Sequence, residues 1–165
     1  MPRVQPDPVG PGQESVWDYP RPPRVEPSAE TVEVRLGGEV VARSTATYRV
    51  LETSHPPTYY VPASAFADGV LRPVEGSTSC EWKGKAAYYD LAAGGRTAVR
   101  AGWTYPTPSP GFEVLLDHVA LMPGLVDGCT VDGERVVPQP GSFYGGWITS
   151  RVAGPFKGEP GTWGW

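Results

Sequence analysis

Glycine and proline interrupt this chain so often that a long helix has nowhere to run, and their spacing constrains the fold more than any single motif. The 21 Gly and 20 Pro bracket short runs in which apolar and polar residues alternate, the period-two pattern of strands buried on one face. Thr31-Val32-Glu33-Val34-Arg35-Leu36 alternates in this way, and Gly37-Gly38 then supplies the two positive-φ positions of a primed turn into Glu39-Val40-Val41-Ala42. Tyr88-Tyr89-Asp90-Leu91 leads to a Gly94-Gly95 turn and an antiparallel return from Thr97 to Ala101; Thr130 to Val136 reads as a hairpin turned at Asp132-Gly133. Further strands are predicted at Thr47 to Leu51, Tyr59 to Pro62 and Val114 to Leu121, with His55-Pro56-Pro57 forcing an extended bend before the second. Ala63 to Ala67, following a proline, offers a single helical turn. The class that follows is all-β with little helix.

A chain of 165 residues can close one core but is too short for two ordinary ones. Residues 1–27 carry eight prolines, which favour extended geometry, so they read as an arm on the domain. Val16, Trp17 and Tyr19 should hold residues 14–25 of that arm on the domain surface, leaving the first dozen residues mobile. Residues 28–141 form the single β domain, and residues 142–165 a Gly/aromatic tail packed on it. A net charge of −4 with dispersed basic residues argues against nucleic acid, whose phosphates need clustered Lys and Arg. No apolar stretch approaches the roughly 18 to 20 residues of a membrane span, so no membrane partner and a cytoplasmic location are expected. Cys80 and Cys129 form neither a disulfide framework nor a CxxC knuckle and are expected as reduced thiols, with Cys80 buried and inert.

Chemistry concentrates in Thr78 to Tyr89, a stretch that reads as strand and places Lys83 first among the candidates. A lysine drawn partly out of water can serve as an acid/base, a Schiff-base amine or an anion clamp, whereas a strand lysine keeps its ammonium in solvent. His55, three residues after Glu52, could be a general base oriented by that carboxylate, or a turn histidine bonded to backbone. His118, in an apolar run, reads as a satisfied, partly buried side chain. Strand alternation sends Tyr59 and Tyr60 to opposite faces, and Tyr88 and Tyr89 likewise, so one of each pair can line a pocket. Tyr60 and Tyr88, with Trp103 and Tyr105, are the expected ligand-binding aromatics. GxGxxG, the P-loop, HExxH and GxSxG are all absent, and no carboxylate pair suits Mg²⁺.

Four ordered segments, Glu52 to Pro62, Thr78 to Gly84, Trp103 to Pro106 and Val131 to Val136, together resemble the domain-of-unknown-function family 427. The resemblance implies a β-tent-like fold, two antiparallel sheets pinned together, a shape also used by methionine sulfoxide reductase B and the cereblon ligand-binding domain. The family is sometimes labelled a nucleotidyltransferase domain, yet the resemblance brings no established activity. The family's usual Cys-Pro-x-Lys-Gly motif is altered here, with Glu81 in the proline position and Trp82 before Lys83. Zinc relatives of the fold use paired CxxC knuckles, which this chain lacks, so neither metal nor cofactor is expected. The reading is a small-molecule binding domain or metal-free enzyme for a polar or anionic metabolite, with Lys83, His55 and Glu52 as the reactive group. Its rival is a protein-interaction module in which the proline-rich arm and aromatic tail dock a partner or a second copy of the chain.

Overall fold

Alternating apolar residues and glycine turns build fifteen strands among the described residues. The computed structural model describes residues 4–80, 82–141 and 143–165, and the backbone alone at residue 80. Glu81, and the buried thiol expected at Cys80, lie outside the described residues. In chain order the strands are β1 (Glu14–Ser15), β2 (Arg24–Ser28), β3 (Val32–Leu36), β4 (Glu39–Ser44), β5 (Thr47–Leu51), β6 (Thr58–Pro62), β7 (Leu71–Cys80) and β8 (Gly84–Ala93). They continue with β9 (Arg96–Thr104), β10 (His118–Leu121), β11 (Gly128–Val131), β12 (Glu134–Arg135), β13 (Val137–Pro138), β14 (Trp147–Ile148) and β15 (Val152–Ala153). Among the described residues no helix reaches seven residues; the single turn expected after Pro62 is a 3-10 turn over Ala63–Ala65. The fold is all-β.

Two antiparallel sheets dominate. Seven strands run in the order β2-β5-β6-β10-β9-β8-β7, and four in the order β12-β11-β3-β4. Val32, Val34 and Leu36 of β3 are fully buried and share a core with Tyr59, Val61, Leu91, Leu121 and Val131 from both sheets. Each such side chain contributes on the order of 1.5 to 3 kcal/mol when removed from water. The β3-β4 and β8-β9 turns meet backbone to backbone: a Cβ added at Gly37 would fall on the Ala93 carbonyl, and one at Gly94 on the Gly37 carbonyl. Both glycines also have positive φ, 62° and 55°, so only residues without a side chain let the two sheets close at this point.

The seven-stranded sheet has a second buried face. Val50, Tyr60, Ala86, Tyr105, Leu115 and Ala120 cluster there, with Tyr88 and Trp103 packed against them. Alternation separates the tyrosine pairs as expected: Tyr59 and Tyr89 join the inter-sheet core, Tyr60 and Tyr88 the second cluster.

Three expectations differ from the structure. Thr78 to Tyr89 is a hairpin rather than one strand, with β7 ending at Cys80 and β8 starting at Gly84, whose φ of 112° suits glycine. Val114 to Leu121 is strand only from His118, because Glu113–Leu115 forms a 3-10 turn and Asp117 adopts φ 60°. The arm is also woven into the fold. Arg24–Ser28 pairs with β5 as an edge strand, the position where Pro27 costs no ladder bond. Glu14–Ser15 pairs in parallel with Val152–Ala153, and even Asp7 donates its N–H to the Gly154 carbonyl at 2.8 Å. Trp17 donates its Nε1–H to the Pro155 carbonyl and meets Trp165 edge-on, so arm and tail cover each other.

Candidate functional site

The second face of the large sheet opens into a cavity of about 720 Å³. Its floor is built by strand alternation, with Tyr60 from β6, Ala86 and Tyr88 from β8, and Trp103 from β9 pointing the same way. The β7-β8 turn brings Trp82 and Lys83 over one side, held down by a 2.9 Å bond from the Ser109 N–H to the Lys83 carbonyl. The bend before β6 adds Glu52 and His55. The cavity thus collects all seven residues singled out in the sequence: Lys83, His55, Glu52, Tyr60, Tyr88, Trp103 and Tyr105.

The aromatic part is organised by polar contacts at its ring edges. Trp103 donates its Nε1–H to the Tyr60 hydroxyl at 3.2 Å, and Tyr60 and Tyr105 lie 6.2 Å apart between ring centres. The Lys83 ammonium stands 5.9 Å from the centre of the Tyr105 ring, within cation–π range. Nearby on the lining, the Tyr88 and Thr78 hydroxyls are 2.5 Å apart, and the Arg100 guanidinium lies 4.5 Å above the Tyr88 ring. Arg100 reaches that place through a β-bulge in which Asp90 accepts its backbone N–H at 2.7 Å and its own φ is 51°.

The polar part turns on Gln139, which is 3% exposed. Its Oε1 accepts the Gly146 N–H at 3.1 Å, and its Nε2 donates to the Lys157 carbonyl at 2.8 Å. These two bonds fix which end of the amide is which, so the 3.1 Å contact from Nε2 to His55 Nδ1 has the glutamine donating and the imidazole accepting. Neutral His55 therefore carries its proton on Nε2, which faces Glu52 Oε2 at 3.6 Å. The same carboxylate oxygen lies 3.5 Å from Arg21 Nε. Burial, then the charges of Lys157, Arg21 and Lys83, push the imidazole down to about 4. Glu52, at a distance too long for a hydrogen bond and shared with Arg21, does not offset them.

A C-terminal wall completes the cavity. Tyr144 meets His55 edge-on at 4.7 Å, Phe143 packs at right angles to Tyr144, and the Lys157 ammonium lies 5.6 Å from the Tyr144 ring centre. Lys157 also donates to the main-chain oxygen of Trp165 at 3.2 Å. Gly145 and Gly146 let the wall approach: a Cβ at Gly145 would enter the Trp103 ring, and one at Gly146 would stand 2.6 Å from Pro56 Cγ. Sequence reasoning missed Gln139, Arg100 and Lys157, none of which stands in a motif. Tyr144 was visible only as one aromatic among many. The single usable signal was the Gly145-Gly146 pair beside aromatics, which marks a close backbone approach.

His118 bonds through Nδ1 to the Leu116 carbonyl at 2.9 Å and packs against Tyr48, away from the cavity lining. Cys129 sits in the inter-sheet core, where burial pushes its thiol up to about 12. Among the described residues no three His, Cys, Asp or Glu side chains converge as a metal site, and no helix is long and apolar enough to cross a membrane. A family model described as "Domain of unknown function (DUF427)" matches residues 24–132. No curated protein matches the chain.

Proposed function

The chain belongs to the DUF427 family of domains of unknown function, and on that premise we propose that it is a small-molecule binding domain whose ligand is a flat polar or anionic metabolite. One observation carries the proposal: residues within 50–60, 78–88, 100–105, 122–125 and 139–157 converge on one cavity of about 720 Å³, with Val131 to Val136 outside its lining, a volume inside the range that encloses a drug-sized ligand. Its walls alternate ring faces with fixed polar groups, an arrangement suited to stacking a planar body while reading its edges. Lys83 acts as an anion clamp beside the Tyr105 ring.

The geometry favours binding over proton transfer by His55. The Nδ1 lone pair is taken up by Gln139 and Nε2 already carries the proton, so neither nitrogen is placed to accept a proton from a ligand. His55 only turns its N–H toward Glu52, 3.6 Å away. Glu52 is the sole carboxylate among the described lining residues, which gives no support to a paired-carboxylate magnesium centre. The rival reading, a partner-docking module, loses support because arm and tail are spent on each other through β1-β15 and Trp17-Trp165.

The experiment is a thermal-shift screen of a broad metabolite panel against wild type and Lys83→Ala. A compound that raises the wild-type midpoint but not that of the variant supports the cavity as the site, through binding linkage. If no compound shifts either protein, the small-molecule reading is wrong.

A further inference from the structure

The family match ends at residue 132, yet the cavity does not. Gln139, Phe143, Tyr144, Gly145 and Lys157 all line it from beyond that limit. The matched region supplies the aromatic floor, and residues 139–157, beyond the match, supply the opposing wall. We propose that this segment is the ligand-selecting wall, and that Tyr144 and Lys157 select a planar ligand bearing an anionic carboxylate or phosphate. The inference rests on the cavity being a small-molecule site and adds the class of ligand and the residues that choose it.

Three observations support it. Lys157 holds its ammonium 5.6 Å from the Tyr144 ring centre, so a ring face for stacking and a cation for an anionic substituent sit side by side. Lys157 and Lys83, one from each side of residue 132, both line the cavity, and after burial both add to what disfavours protonation of His55. Their fields thus overlap in the cavity, and a bound anion would lie in both. The only described lining carboxylate, Glu52, already faces Arg21 and the His55 N–H.

The wall is also held in advance of binding. Gln139 bonds to Gly146 and Lys157 of the wall and by one hydrogen bond to His55, and Gly145 lies against the Trp103 ring. A surface fixed before the ligand arrives loses little entropy on binding and discriminates better between similar ligands.

The test uses the full chain and three matched probes, 2-naphthoate, 2-naphthyl phosphate and 2-naphthamide, titrated by calorimetry against wild type, Lys157→Gln and Tyr144→Leu, with folding of each checked by circular dichroism. Wild type should bind at least one anion about tenfold tighter than the amide, the scale of one charge-assisted hydrogen bond. Lys157→Gln should reduce that preference to less than about threefold while still binding the amide, and Tyr144→Leu should weaken all three probes. The order of the two anions tells carboxylate from phosphate. A wild type that binds anion and amide equally, or a Lys157→Gln protein that keeps the preference, overturns the inference and leaves the cavity standing as a site. Failure of all three probes to bind folded wild type at millimolar concentration overturns both readings.

Discussion

Lowering the pH from 7 to 5 is expected to remove about 2 kcal/mol of folding stability through His55 alone. The imidazole is buried, accepts from Gln139 and stands near Lys157, Arg21 and Lys83, which together hold it at about 4 against an ordinary 6.5. Between those values the unfolded chain binds a proton that the folded chain refuses, so stability is complete above about 6.5 and falls as the pH drops toward 4. At pH 5 protonation of His55 shifts the equilibrium toward the unfolded state by a factor of about thirty, which is about 2 kcal/mol, and by pH 4 the loss reaches about 3 kcal/mol. Urea unfolding at pH 7, 6 and 5, for wild type and His55→Asn, measures it. The variant should be less stable at pH 7 but nearly flat across this window. If both proteins lose the same stability between pH 7 and 5, the imidazole is not held neutral, and the proton placement argued for Gln139, His55 and Glu52 fails with it.

Other perturbations separate packing from polar order. Gly145→Ala drives a methyl group into the Trp103 ring and should cost about 1 to 3 kcal/mol with a changed near-ultraviolet tryptophan signal; an unchanged midpoint would show that the wall does not press on that ring. Tyr60→Phe removes the acceptor for the Trp103 indole N–H and should cost about 1 kcal/mol in chemical denaturation while leaving the fold intact. Leu36→Ala, at a fully buried position where the sheets meet, should cost about 2 to 5 kcal/mol. Arg49 is bonded to Glu14 and to Glu26, so Arg49→Met should cost about 2 to 3 kcal/mol and loosen the arm, read as faster proteolysis near Glu14.

Much of the sheet structure was legible because its causes are local. Gly37-Gly38, Gly94-Gly95 and Asp132-Gly133 each turn a hairpin whose strands carry their own alternation. Alternation also separated Tyr60 from Tyr59 and Tyr88 from Tyr89. The strands that escaped reading were those whose support comes from a partner. β2 contains Pro27 and β7 contains Pro73 and Gly76, and each is admitted because it lies at a sheet edge, β7 with a bulge between Val74 and Ser77. Val114 and Leu116 looked like strand by composition, yet both face solvent, because the positive φ of Asp117 starts the strand only at His118.

The sequence by itself determined the all-β class, the principal turns and that the two tyrosines of each pair face opposite ways, because these depend on φ preferences and a two-residue period that neighbouring residues carry. Tertiary structure decided the site. β6 meets β10, with Pro62 opposite His118, and Gln139 reaches His55 across 84 positions; no local pattern encodes such pairings, which are set by how two sheets bury their shared face. The same long-range packing brings Tyr144 and Lys157 over a floor built from residues 52–105. It also fixes the proton on His55, whose tautomer follows from a glutamine amide that is oriented in turn by Gly146 and Lys157.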